Sequence, residues 1–97
     1  MKISNEKKEK ICEQILAYLF SVNPKSIFTI NIAKEIARDE EFTKKLLLYL
    51  KKKSLVVEIK KNPEGVNYLR RSRWKLSEMA YNHYKKINFA NQKVYFE

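Results

Sequence analysis

Apolar residues recur at helical spacing from about residue 6 to residue 20, with Ile11, Ile15 and Leu19 on one face and Cys12, Leu16 and Phe20 beside them. That stripe is wide enough to predict a core helix. Ser4 or Asn5 is placed to cap its start. Asn23-Pro24 is placed to end it, because proline lacks an amide donor and restricts the residue before it. Ser26-Ile27-Phe28 reads as a short extended piece, and Thr29 as the N-cap of a second helix whose inward stripe is Ile32, Ala33 and Ile36. Arg38-Asp39-Glu40-Glu41 then interrupts the pattern. Asp39 is predicted to cap a third helix reaching about Lys53, packed through Phe42, Leu46, Tyr49 and Leu50 with Leu47 flanking them. Its other side presents Thr43, Lys44, Lys45, Lys51 and Lys52, and Leu48 is harder to place.

The period changes after Ser54. Leu55-Val56-Val57-Glu58-Ile59-Lys60 is rich in β-branched residues and predicts a strand, with Val66-Asn67-Tyr68-Leu69-Arg70-Arg71 returning beside it. Asn62-Pro63-Glu64-Gly65 suits the turn between them, and Gly65, the chain's one glycine, can take a positive φ where the return strand starts. Alternation sends Arg71 and Arg73 to one face, but Leu69 and Trp74 have opposite parity. A bulge, or an end to the strand near Ser72, would resolve this. Trp74 is predicted to anchor the hairpin to the helices. Ser77 caps a final helix starting at Glu78, with Met79, Ala80, His83 and Ile87 along one side and Tyr81 and Tyr84 elsewhere on it. Residues 1–88 form one domain in this reading, and 89–97 an apolar tail that covers the core or meets another subunit.

Charge adds a partner to this outline. Residues 43–75 hold eight Lys and three Arg against Glu58 and Glu64, a net +9 within a chain of net +10. Residues 1–42 balance seven basic groups with seven acidic ones. Positive charge concentrated in this way attracts a polyanion, and each phosphate contact releases condensed counterions. Chemistry of other kinds finds little support. Cys12 stands alone and has an apolar setting, and His83 has no partner at metal-ligand spacing, so neither a metal nor another cofactor is expected. There is no glycine-rich phosphate loop, nucleophile-base set or convincing carboxylate pair, which argues against an enzyme. No apolar run reaches the roughly 18 residues of a membrane span, and a cytoplasmic location is expected.

The order helix, extended piece, helix, helix, hairpin, helix resembles the winged helix-turn-helix family of prokaryotic-type transcriptional regulators. Thr29-Ile30-Asn31-Ile32-Ala33 is similar to the start of that family's second helix. Leu47, Leu50 and Leu55-Val56 resemble the end of the recognition helix and the entry to the wing, with Ser54 standing where many members place glycine. Trp74-Lys75-Leu76-Ser77-Glu78 resembles the passage from wing to last helix. The resemblance covers about residues 6–87. It implies an α+β fold, a three-helix core with a β-hairpin wing and a C-terminal helix, and sequence-influenced binding of double-stranded DNA by a transcriptional regulator.

On that resemblance the third helix enters a major groove and the wing follows the backbone or a minor groove. Thr43, Lys44 and Lys45 match recognition-helix contacts, with Leu48 set against a thymine methyl; Lys60, Lys61, Arg70, Arg71 and Arg73 are the wing candidates. Asp39, Glu40 and Glu41 at the start of the recognition helix would repel phosphate unless turned aside or directed to cytosine amino groups. RNA binding is the alternative, followed by a protein-interaction module. A homodimer is expected through Tyr84, Ile87, Phe89, Tyr95 and Phe96, because a small core has limited area with which to cover them.

Overall fold

The computed structural model describes residues 5–62, 64–66 and 71–95, with side chains as far as Ile87. The elements are α1 (Asn5–Val22), β1 (Ile27–Phe28), α2 (Thr29–Glu35), α3 (Glu40–Lys52), β2 (Val56–Ile59), β3 (Arg73–Leu76) and α4 (Glu78–Tyr95). Ile11, Cys12, Ile15, Leu16 and Leu19 of α1 are buried against Ile32 of α2 and Leu46, Leu47 and Leu50 of α3. The three helices thus close one core through the stripes that their spacing predicts. Val56, Trp74 and Leu76 bring the sheet onto it, and Ala80 brings α4.

The sheet has the order β1-β3-β2, with both pairings antiparallel. β3 is central: Trp74 lies opposite both Ile27 and Glu58, and Leu76 opposite Val56. β2 therefore pairs with Arg73–Leu76, where residues 66–71 were expected. Val66 is 60 % exposed, whereas Trp74 and Leu76 alternate inward at 0 % and 2 %. β3 starts after Ser72, and the pair nearest the core, Trp74 and Leu76, sets its register. Asn67, Tyr68, Leu69, Arg70 and Pro63 lie outside the described residues. The turn before them is closed by a bond from the Gly65 amide to the Asn62 carbonyl, and Asn62 Oδ1 accepts from the amides of Glu64 and Val66, all at 2.9 Å. Gly65 has φ 87°, the left-handed value that a Cβ would disfavour.

Trp74 is the largest fully buried side chain, and its indole N–H donates to Thr29 Oγ1 at 2.8 Å. Burying a ring of this size at about 25 cal/mol per Å² is worth roughly 4–6 kcal/mol before entropic costs, and the hydrogen bond removes the penalty on its one polar atom. Thr29 serves this bond instead of capping α2. The N-cap position is Phe28, without a side-chain cap, and Thr29 lies inside the first turn.

Both helix-to-next-element connections after α2 and α3 end in the same motif. Ala37 and Ser54 take φ 56° and 63°, and their amides return to the carbonyls of Lys34 and Lys51. The amides of Arg38 and Leu55 reach back to Ala33 and Leu50. This is the Schellman closure, which glycine usually occupies and which turns the chain sharply out of the helix.

α4 opens on a cap in which Ser77 Oγ accepts from the Ala80 amide at 3.1 Å. Its inward side consists of Ala80, Tyr81 and Tyr84, with Phe20 of α1 meeting the two tyrosine rings at 5.4 and 5.8 Å between centroids. Met79 and Ile87, expected on the packed side, are 60 % and 42 % exposed, and His83 is exposed as well. Aromatic area decided the rotation of the helix, since two tyrosines bury more surface than Met and Ile at these positions. The helix continues to Tyr95, into the 89–97 segment expected as an apolar tail.

Candidate nucleic-acid interface

α3 begins where Asp39 Oδ2 accepts from the Phe42 amide at 3.2 Å. Glu40 and Glu41 occupy its first turn and Lys51 and Lys52 its last, a distribution that complements the helix dipole at both ends. Leu46, Leu47 and Leu50 face the core. Lys44, Lys45, Leu48, Lys51 and Lys52 fall on the solvent side, spaced by three and four residues, so one face carries four cations around an apolar residue that is 39 % exposed.

Thr43 does not belong to that face. It is fully buried, and its hydroxyl donates to the Asp39 carbonyl at 2.8 Å. Satisfied by the preceding turn of its own helix, it packs as a small apolar group, and its side chain is removed from the expected contact set.

The start of α3 faces the start of α2 and the base of the wing across an open cleft of about 360 Å³. Ile30 and Asn31 line it from α2, Glu40 and Lys44 from α3, and Arg71 from the wing. The Arg71 guanidinium lies 5.5 Å from the centre of the Phe28 ring, a cation-π distance that holds its side chain over the cleft. Lys44 and Arg71, distant in sequence, are thereby brought to one place. Ile30 and Asn31 were not anticipated as site residues; the available signal was an exposed residue pair in the first turn of a short helix preceding the basic one.

A second groove, beside the hairpin, is lined by Lys51, Glu58, Ile59, Lys60 and Lys61. Lys60 and Lys61 are exposed. Arg73 is only partly so: Nη1 donates to Ser26 Oγ at 3.1 Å and Nη2 to the Lys61 carbonyl at 3.0 Å, which makes it a brace across the base of the wing. Arg70 lies outside the described residues.

Glu58 sits within this basic surroundings with its side chain 5 % exposed. Burial alone would raise its carboxyl pKa. Hydrogen bonds from Ser72 and Lys51, with the charges of Lys51 and Lys60, outweigh that and hold it below the ordinary value. On the far side of α3, Tyr49 is flanked by Lys8 and Lys53, whose ammonium groups are 3.7 and 4.7 Å from the ring centre. Cys12 is buried nearby, and that burial pushes its thiol pKa up, away from the reactive thiolate. Among the described residues, His, Cys, Asp and Glu form no group of three or more suited to a metal ion, and no helix is long and apolar enough to cross a membrane.

A three-helix core, a helix pair turned through a tight connection and a hairpin on the edge of a three-stranded sheet define a winged helix-turn-helix fold. Solved structures share it. S. aureus MepR in complex with DNA superposes with a TM-score of 0.68 at 20 % identity, over 95 % of this chain and 67 % of that one. S. aureus MepR in its DNA-binding conformation gives 0.63 at 19 % identity, over 96 % and 61 %. A double mutant of Lactococcus lactis ZitR in apo form gives 0.62 at 18 %, over 92 % and 64 %. The chain thus spans roughly 61–67 % of the length of these proteins. No protein-family model and no curated protein matches the sequence.

Proposed function

We propose that the chain binds double-stranded DNA in a sequence-influenced way and acts as a transcriptional regulator. In this reading α3 enters a major groove and the basic wing follows the backbone or a minor groove. The observation that carries it is the shared surface: Lys44, Lys45 and Leu48 face outward on α3, and Lys44 and Arg71 line one cleft at the wing base. Lysines at these positions suit phosphates or guanine edges, and Leu48 suits a thymine methyl. Lys60 and Lys61 extend the footprint along the hairpin. Arg70 belongs to the same proposed set by sequence, while Arg73 contributes by bracing the wing. The likeness in fold to MepR, which has been crystallised with DNA, supports this choice among the functions a winged helix can serve.

A titration of labelled duplex at several salt concentrations tests the proposal. Six phosphate contacts would give a slope of about −5 in log affinity against log salt. Structured and single-stranded RNA belong in the same series. Absence of duplex binding at low salt rejects the reading, and a preference for structured RNA replaces it with the RNA-binding alternative.

A homodimer formed through α4 is part of this proposal. Ile87 is exposed on its outer side, whereas Tyr84 is half-buried against Phe20 and chiefly serves its own chain. Phe89 and Tyr95 lie in the continuation of α4, beyond the described side chains, and Phe96 lies outside the described residues. A two-fold pairing would set two α3 helices on successive major grooves.

A further inference from the structure

The two acidic residues of the basic segment are placed very differently. Glu64 is exposed in the wing turn, whereas both oxygens of Glu58 are engaged. Lys51 Nζ, on the last turn of α3, donates to Glu58 Oε1 at 2.9 Å, and Ser72 Oγ donates to Oε2 at 2.6 Å. Ser72 is itself buried, and its carbonyl accepts from the Thr29 amide at 3.2 Å and the Thr29 hydroxyl at 3.4 Å. That hydroxyl also accepts from the Trp74 indole. One run of hydrogen bonds therefore passes from α3 through the wing to the first residue of α2. Arg71 immediately precedes Ser72, so its backbone is placed by the residue that the carboxylate holds.

A carboxylate here works against simple electrostatic attraction. It subtracts one charge from a surface argued to meet phosphate, and it occupies the ammonium of Lys51, which otherwise stands on the outward face of α3. Its burial also carries a desolvation penalty. The charged groups that face it are Lys51 from α3 and Lys60 from its own strand's end, with the Ser72 hydroxyl opposite, and hydrogen bonds to an ionised acceptor are the strong ones. We infer that Glu58 is a positioning residue for DNA binding, fixing Arg71 and the wing base relative to α3 through Ser72 and Lys51. The inference rests on the DNA-binding reading given above.

Charge and positioning predict opposite results. Glu58→Gln adds one net positive charge, so a purely electrostatic role would tighten binding and steepen the salt slope. A positioning role weakens binding by about 3- to 10-fold and reduces the slope by about 0.9, the share of one phosphate contact. Ser72→Ala, which changes no charge, should weaken binding in the same direction. In a double-mutant cycle with Arg71→Ala, the second substitution should then add little to the first. Amide hydrogen exchange supplies a readout without DNA: exchange at Thr29 should rise in both variants while the amides of α1 keep their protection. A wild type that binds duplex, with variants that bind equally or more tightly, or an additive cycle, overturns the inference and leaves the DNA reading standing. A wild type that binds no duplex overturns both.

Discussion

Ser54 ends the proposed recognition helix at φ 63°, a conformation in which its Cβ crowds the backbone. Its own amide and that of Leu55 supply the two returning bonds of the closure, to Lys51 and Leu50, so the conformation is imposed by the turn between α3 and β2. Glycine relieves the strain at the expense of greater freedom in the unfolded chain. With the first effect larger, Ser54→Gly should stabilise the protein by about 0.5–1 kcal/mol, read as a higher midpoint in urea with an unchanged slope. Glu58 gives a residue-scale prediction of a different form. Its pKa is lowered in the folded protein, so its contribution is fully present above the ordinary carboxyl value and is lost as pH falls through the lower folded value. Wild type should therefore exceed Glu58→Gln in stability by about 1–2 kcal/mol near neutral pH. The difference should shrink on acidification below the ordinary carboxyl range; a gap that stays constant down to strong acid would contradict the ionic origin of these bonds.

At the scale of elements, α3 and the wing divide the proposed work, and variants should separate them. Lys44→Ala with Lys45→Ala should compress the affinity differences among duplexes, whereas Lys60→Ala with Lys61→Ala should weaken all duplexes alike and reduce the salt slope by about 2. Binding curves for a panel of duplexes, on variants with unchanged circular dichroism and melting, check this; unchanged discrimination in the α3 variant would remove Lys44 and Lys45 from base readout. The packed faces of α1, α2 and α3 were legible because their apolar stripes are set by local spacing, whereas that of α4 was misplaced onto Met79, His83 and Ile87. Even Thr43 was legible in principle, since it precedes Leu46, Leu47 and Leu50 at the same inward spacing, and its hydroxyl disguised its position until a backbone acceptor in the previous turn was seen. The wing was harder. The partner of β2 was expected at residues 66–71, but register is decided by which alternating pair reaches the core, and that pair is Trp74 with Leu76. Nor could spacing reveal that Arg73 would brace Ser26 and Lys61 or that Glu58 would join Lys51 to Ser72, because each bond links residues brought together only by the folded sheet.

For the whole molecule, α4 is the element whose described contacts least account for its length. It extends from Glu78 to Tyr95, yet its described core contacts come from Ala80, Tyr81 and Tyr84 in its first two turns. An 18-residue helix is about 27 Å long. The radius of gyration, 14.5 Å, exceeds the roughly 13 Å of a compact domain of this size, and the longest extent is 51 Å. Exposed Met79 and Ile87 add apolar surface along the same helix. Pairing about a two-fold axis through α4 would bury that surface in a self-complementary contact and carry two copies of the basic face on one side of the assembly. Sedimentation across micromolar concentrations should show a species of twice the 11.7 kDa chain mass. Ile87→Glu should shift the equilibrium toward monomer with helicity retained, because it places a charge where the contact would be apolar. DNA affinity should fall with it, since a dimer engages two half-sites and a monomer one. A wild-type chain that sediments as monomer throughout, or an Ile87→Glu chain that dimerises as well as wild type, would remove α4 pairing from the proposed mode of binding.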